Sequence, residues 1–152
     1  AMLITQKAQY GLRAVFELAK RSGEGPTKIA VIAECQAIPQ RFLEGILSQL
    51  RQAGIVESRR GKQGGYLIAL QPKELTVDRV IEVLDGPVTP VGCAPCSPGD
   101  KSDCELYGNC VFLSMWQEMR AAIMGVYQDT NFQKLIDRER EAQAKFTPDF
   151  TI

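Results

Sequence analysis

Apolar residues recur every three or four positions through much of the chain, and the breaks in that rhythm divide it into elements. Tyr10, Leu12, Val15, Phe16, Leu18 and Ala19 share one helical face, with Thr5 placed to cap the start. Ser22-Gly23 and then Glu24-Gly25-Pro26 end this first helix. A short second helix is expected to be capped by Thr27, with Ile29, Ala30, Ile32 and Ala33 inward and Cys35 as small buried filler at its end. Gln36-Ala37-Ile38 reads as a turn. Pro39 suits the first position of a third helix, where its absent N–H is not missed. That helix runs to about Gln52, with Phe42, Leu43, Ile46, Leu47 and Leu50 facing the core, and Ala53-Gly54 closes it.

The period then changes from helix to strand. Ile55-Val56-Glu57-Ser58 and Tyr66-Leu67-Ile68-Ala69-Leu70 read as two strands of a hairpin. Between them lie Arg59, Arg60 and Lys62 together with Gly61, Gly64 and Gly65. Helix, turn, helix and basic hairpin, over Thr27 to Leu70, is the outline of a winged helix-turn-helix. In that arrangement the first turn of the second helix meets base edges in the major groove. Gln40, Arg41 and Glu44 occupy that turn, and their side chains suit adenine, guanine and cytosine respectively. Arg51 on the same helix, and Arg59, Arg60, Lys62, Gln63 and Gly64 in the hairpin, complete the candidate DNA contacts. Glycine lets backbone approach a phosphate, and arginine can enter a narrow minor groove. A merely solvated helix face competes with this account, more strongly for Glu44 than for Arg41.

Beyond the hairpin, Thr76 is placed to cap a helix through Val77, Val80, Ile81 and Leu84, stopped by Asp85-Gly86-Pro87. From about Asn109 a helix resumes. Phe112, Trp116, Met119, Ile123 and Val126 fall three or four apart, and Leu113, Met115, Ala122 and Tyr127 widen the stripe. One side could cover the winged domain, and the breadth predicts a partner helix in a second subunit. Asn131 to about Arg138 adds a last helix, and the polar end is expected to be a flexible tail. The expected fold is therefore mainly α with a small β-hairpin wing: a winged helix-turn-helix plus a long C-terminal dimerisation helix. The expected division is 2–86 for the DNA-binding domain, 87–108 for a cysteine-rich effector loop, 109–140 for the dimerisation and terminal helices, and 141–152 for the tail.

Composition sharpens the picture in three places. The 152 residues carry 18 basic and 18 acidic side chains, so no whole-chain positive charge announces a nucleic-acid partner. Between Gln40 and Lys62, however, Arg41, Arg51, Arg59, Arg60 and Lys62 face only Glu44 and Glu57. Local clustering matters more than the total, because salt confines a charge to about 8–10 Å. There is no histidine, which excludes His-based triads and His-containing metal sites. With no visible phosphate loop and no paired acids in a cleft-like context, an enzyme is not expected. No apolar run approaches the roughly 20 residues needed to cross a bilayer, and no signal peptide is expected, so the expected location is the cytoplasm.

Thiols in that compartment stay reduced, which makes the spacing of Cys93, Cys96, Cys104 and Cys110 informative. C-x2-C-x7-C-x5-C in a Gly- and Pro-rich loop favours an iron–sulfur cluster of unspecified nuclearity. Zinc is an alternative, although structural zinc sites usually show two short knuckles, and a metal-free thiol switch is another. With zinc as a fold staple, the winged module could instead serve only as a protein-interaction module.

Four blocks carry a resemblance. Thr5-Gln6-Lys7-Ala8-Gln9-Tyr10-Gly11-Leu12, Ile38-Pro39-Gln40-Arg41-Phe42-Leu43-Glu44, Leu47-Ser48-Gln49-Leu50-Arg51-Gln52-Ala53-Gly54-Ile55-Val56 and Arg60-Gly61-Lys62-Gln63-Gly64-Gly65-Tyr66-Leu67 are similar to the Rrf2 family of bacterial transcription regulators. The family includes iron–sulfur assembly regulators, nitric-oxide sensors and cysteine-metabolism regulators. The resemblance spans about residues 2–140, specific in the winged module and looser in the cysteine loop. It implies a homodimer joined through the long C-terminal helix and bound to a palindromic operator in double-stranded DNA. It implies contacts from Gln40, Arg41 and Glu44 and from the wing at Arg59, Arg60, Lys62 and Gln63. In cluster-bearing members three loop cysteines hold the cluster, and Cys96, Cys104 and Cys110 match them, with a longer first gap here. The family's fourth ligand is a histidine, where this chain has Leu113, or a partner's N-terminal carboxylate, where it has Gln9. Cys93 is what remains as the candidate fourth ligand. Some members carry no cluster.

Overall fold

The computed structural model describes residues 4–91, 104–106 and 108–146. The chain order is α1 (Gln6–Lys20), α2 (Ile29–Gln36), α3 (Gln40–Gln52), β1 (Val56–Arg59), β2 (Gly65–Ile68), α4 (Val77–Asp85), α5 (Leu113–Asp129) and α6 (Phe132–Phe146). It is mostly helical with one antiparallel hairpin, as the periodicity predicts.

α1 is the spine. Thr5 caps it as expected, its hydroxyl accepting from the Ala8 amide at 3.2 Å. Ala8, Ala14, Val15, Leu18 and Ala19 are buried, and the helix packs against α2, α3, α4, α6 and β2. α2 and α3 are joined by a tight turn in which Ala37 adopts a left-handed conformation and Ile38 is buried. The Ile38 amide donates to the Ala33 carbonyl at 2.9 Å, closing the end of α2. Leu43, Ile46, Leu47 and Leu50 of α3 fill the space between α1 and the hairpin.

The hairpin pairs Val56 with Ile68, Glu57 with Leu67, Ser58 with Tyr66 and Arg59 with Gly65. Thr27 adds a one-residue third edge, exchanging two backbone bonds of 2.8 Å with Tyr66. This corrects its expected role as a cap: Lys28 holds the N-cap position of α2 without a side-chain bond. The bridge satisfies backbone groups that a hydroxyl cap would have left open. Thr76 does precede α4, but its hydroxyl bonds the Asp78 carboxylate rather than a backbone amide.

The C-terminal half returns to this core. Phe132 and Ile136 of α6 are buried in it, and Thr76 forms a bridge with Asn131. α5 starts at Leu113 rather than near Asn109, because a turn from Cys110 through Val111 and Phe112 precedes it, closed by the Leu113 amide donating to the Cys110 carbonyl at 3.1 Å. α6 runs to Phe146, past the expected end near Arg138. Ile123, Met124 and Tyr127 of α5 lie partly buried on Val77, Ile81 and Val88. No residue of α5 is buried. Three inward assignments also fail. Ala30 and Cys35 are exposed because Ile32 and Ala33 complete the inner side of α2, and Phe42 is 45% exposed on the flank of α3.

Candidate nucleic-acid interface

The core stripe of α3 decides what its other face presents. With Leu43, Ile46, Leu47 and Leu50 turned inward, helical spacing leaves Gln40, Arg41, Glu44 and Arg51 outward, and all four are exposed. Arg51 Nη1 donates to Ser58 Oγ at 3.2 Å, which ties the end of this helix to β1 and fixes the wing beside it.

The wing is shaped by backbone crowding. A Cβ at Gly64 would collide with the Arg59 carbonyl, and one at Gly65 with the backbone of Thr27. Only glycine permits so tight a tip to lie against the α1–α2 connection. The Gly64 amide donates to the Gly61 carbonyl at 3.0 Å. Arg59, Arg60, Lys62 and Gln63 are exposed and Gly64 is half-buried. Among the described residues none of Arg41, Arg59, Arg60 and Lys62 forms an ion pair. Arg59 also borders a hollow of about 260 Å³ with Arg21, Ser22, Gly23, Gly25, Leu67 and Ile68. The site residues read from the pattern thus gather on two adjoining elements, α3 and the hairpin.

The pattern missed a polar network that ties α1 to the end of α2. Glu17 of α1 is only 3% exposed. Its carboxylate accepts from Gln36 Nε2 at 2.7 Å and Arg21 Nε at 2.9 Å, and Lys20 Nζ lies 3.2 Å away. Burial alone would raise the Glu17 pKa, but the hydrogen bonds from Gln36, Arg21 and Lys20 and the lysine charge outweigh it and hold the group below the ordinary carboxyl value. Burial opposes the charge on Lys20 too, yet Glu17 and Glu139 raise its pKa. Gln36, the last residue of α2, is also held at its carbonyl by Arg13 Nη1 at 3.0 Å. Two bonds from α1 therefore hold the end of α2, where the turn into α3 begins. The available signal was a lone acid on an apolar helix face with Lys20 and Arg21 one turn on.

Comparison with known proteins decides the lineage. The Rrf2 profile, described as an iron-dependent transcriptional regulator, matches residues 4–138. The chain belongs to the Rrf2 family. It is 35% identical over 144 residues to the HTH-type transcriptional regulator CymR of Bacillus subtilis (strain 168), covering 93% of this chain and 96% of that protein. It is 31% identical over 138 residues to the regulator IscR of Serratia proteamaculans (strain 568), covering 91% and 81%. A solved T. potens IscR superposes with a TM-score of 0.73 at 32% identity, covering 92% of this chain and 90% of that one. The protein is accordingly an Rrf2 transcription regulator with the winged fold of IscR and CymR, not an enzyme, and the family implies DNA binding. Among the described residues no helix is long and apolar enough to cross a membrane.

The cysteine loop is described only at its end. Cys93 and Cys96 lie outside the described residues, while Cys104 and Cys110 are partly exposed just ahead of α5. No group of three or more His, Cys, Asp or Glu side chains suited to a metal occurs among the described residues. Cys104 and Cys110 are accessible soft donors, and their chemistry fits a thiolate-ligated group completed by the two cysteines upstream. Arg120 Nε donates to the Val88 carbonyl at 3.1 Å, so α5 grips the chain just before that loop.

Proposed function

We propose that this Rrf2 regulator acts as a homodimer that binds a palindromic operator, with α3 entering the major groove and the wing lying beside it. The observation that carries the reading is the set of exposed basic residues Arg41, Arg59, Arg60 and Lys62, free of ion pairs among the described residues, on two elements braced together through Arg51. Dimerisation is supported by α5, where Phe112 beside the helix and Met115, Met119 and Val126 within it are exposed. The division expected from the pattern stands as part of this proposal: 2–86 reads DNA, 87–108 senses, and 109–140 carries the helix that pairs the subunits and the terminal helix.

Cys93, Cys96, Cys104 and Cys110 would hold an iron–sulfur cluster, which would supply a redox-sensitive charge. The chain's own contribution is mechanical. Arg120 ties α5 to Val88, and Ile123, Met124 and Tyr127 tie it to α4, so a change in the loop is felt by both elements. A change in how two such helices meet alters the distance between two recognition helices, which must match groove positions about 34–36 Å apart. A coupling of about 1–3 kcal/mol is enough to change operator occupancy many-fold.

Gel-shift titration tests the DNA reading: Arg60→Ala weakens operator binding at moderate salt, and unchanged affinity would count against the wing. Anaerobic reconstitution with iron and sulfide tests the cofactor. A coloured protein with stoichiometric iron and sulfide supports the cluster. The similarity to CymR, solved as the global cysteine regulator of B. subtilis, favours a second reading in which the same loop is a thiol switch or a zinc staple. A colourless protein with reactive thiols, or with bound zinc, would select it.

A further inference from the structure

Arg41 stands in the first turn of α3, where a base-reading side chain is wanted. Adjacent residues on a helix do not face each other. The Arg41 guanidinium nevertheless folds over the ring of Phe42, its Cζ 4.8 Å from the ring centroid. Phe42 is not needed by the core of α3, which is complete without it. Its ring is backed instead by Tyr10 of α1, with centroids 6.0 Å apart and planes 26° from parallel. Arg13, one turn along α1, places its Cζ 5.1 Å from the Tyr10 centroid while its Nη1 holds the Gln36 carbonyl. Cation, ring, ring and cation therefore run in sequence from the end of α2 to the start of the recognition helix.

We propose that Phe42, backed by Tyr10 and Arg13, is a positioning residue that aims the Arg41 guanidinium at a base edge. The inference rests on the DNA reading above and deepens it. A guanidinium held over a ring is attracted through its charge and spends none of its N–H donors on the contact. Those groups donate in pairs to guanine O6 and N7. A long exposed side chain otherwise loses its rotamer freedom on binding, and a ring that holds it beforehand reduces that loss. Glu44, one turn further on, makes no ion pair with Arg41 that would draw the guanidinium away.

The test uses the full chain and a duplex enriched by the wild-type protein from a randomised pool, with single-base variants of it and an unrelated duplex. Phe42→Leu keeps apolar bulk without a ring, and Phe42→Tyr keeps the ring. Phe42→Leu is expected to bind the enriched duplex about three- to five-fold more weakly, to lose discrimination at the base read by Arg41, and to leave the unrelated duplex unchanged. Phe42→Tyr retains both affinity and discrimination. Arg41→Ala with Phe42→Leu is no worse than Arg41→Ala alone, since the ring acts through the arginine. In the DNA-free protein, ring-current displacement of the Arg41 side-chain proton resonances is present in wild type and Phe42→Tyr and absent in Phe42→Leu. Losses that multiply in the double variant, or a Phe42→Leu defect equal on every duplex, would overturn the proposal. So would undisplaced Arg41 resonances in the wild type. A wild type that enriches no sequence while those resonances remain displaced overturns it by a different route, through the DNA reading, with the stack itself intact.

Discussion

α3 and α5 are both helices with apolar stripes, and the chain treats them oppositely. α3 buries Leu43, Ile46, Leu47 and Leu50 and shows a polar face, whereas α5 buries nothing although Leu, Met, Trp, Ile and Val recur along it. A stripe of ordinary width is satisfied by one neighbouring layer, and a helix apolar over a wider arc needs a second surface. The first kind of helix is finished by its own chain and can specialise in presenting residues to a ligand. The second packs on α4 through Ile123, Met124 and Tyr127 and leaves Met115, Met119 and Val126 exposed, and in an Rrf2 regulator we assign the surface that covers them to a second copy.

The sharpest way to break this contrast is to change one side chain on each helix. Leu47 is fully buried, and Leu47→Ala is expected to lower the unfolding free energy by about 2–5 kcal/mol in urea titrations. A smaller effect is expected from the network that ties α1 to the end of α2. Glu17→Ala removes charge-assisted bonds from Gln36, Arg21 and Lys20, for a loss of about 1.5–3 kcal/mol. The pH dependence has a definite sign. Because the folded-state pKa of Glu17 is lowered, its contribution is fully present above the ordinary value of 4.5 and is lost as pH falls from there through the folded pKa. Stability measured from neutral to acid pH should therefore fall more steeply below that value in the wild type than in Glu17→Ala. The smallest change in monomer stability, about 0.5 kcal/mol or less, is expected for Met119→Lys on α5. Sedimentation equilibrium should show the same variant losing its dimer. If Met119→Lys instead unfolds the monomer as Leu47→Ala does, α5 is packed within its own chain and the contrast collapses.

What could be read from the residues follows the range of the forces involved. α1, α3, α4 and the hairpin are legible because local period, a capping Thr5 and the glycines near Gly64 define them within a few residues. The exposure of the candidate DNA contacts on α3 is legible for the same reason: once the inner stripe of α3 is fixed, Gln40, Arg41, Glu44 and Arg51 have only the outer face left. Thr27 was misread because its partner, Tyr66, is remote in sequence, and a bridge to β2 outcompetes a local cap. Phe42 was misread because it lies at the margin of the stripe, where the period alone gives no side and the stack on Tyr10 decides. Cys35 was misread from its residue type; it stands exposed with Arg21 Nη2 3.6 Å from its sulfur. The start of α5 was placed early because the apolar pattern continues back through Val111 and Phe112 into a turn. The family was legible before the fold, since short blocks around Tyr10, Phe42 and Gly64 carry it.

The central claim is that the basic tip beside α3 grips a duplex. Fluorescence anisotropy of an enriched duplex across a salt series measures this directly for the wild type and for Arg60→Ala. Binding constants should fall linearly on logarithmic axes, by about 0.9 per neutralised phosphate, and the slope for Arg60→Ala should be shallower by about one. Affinity independent of salt, or identical slopes for the two proteins, would contradict the account.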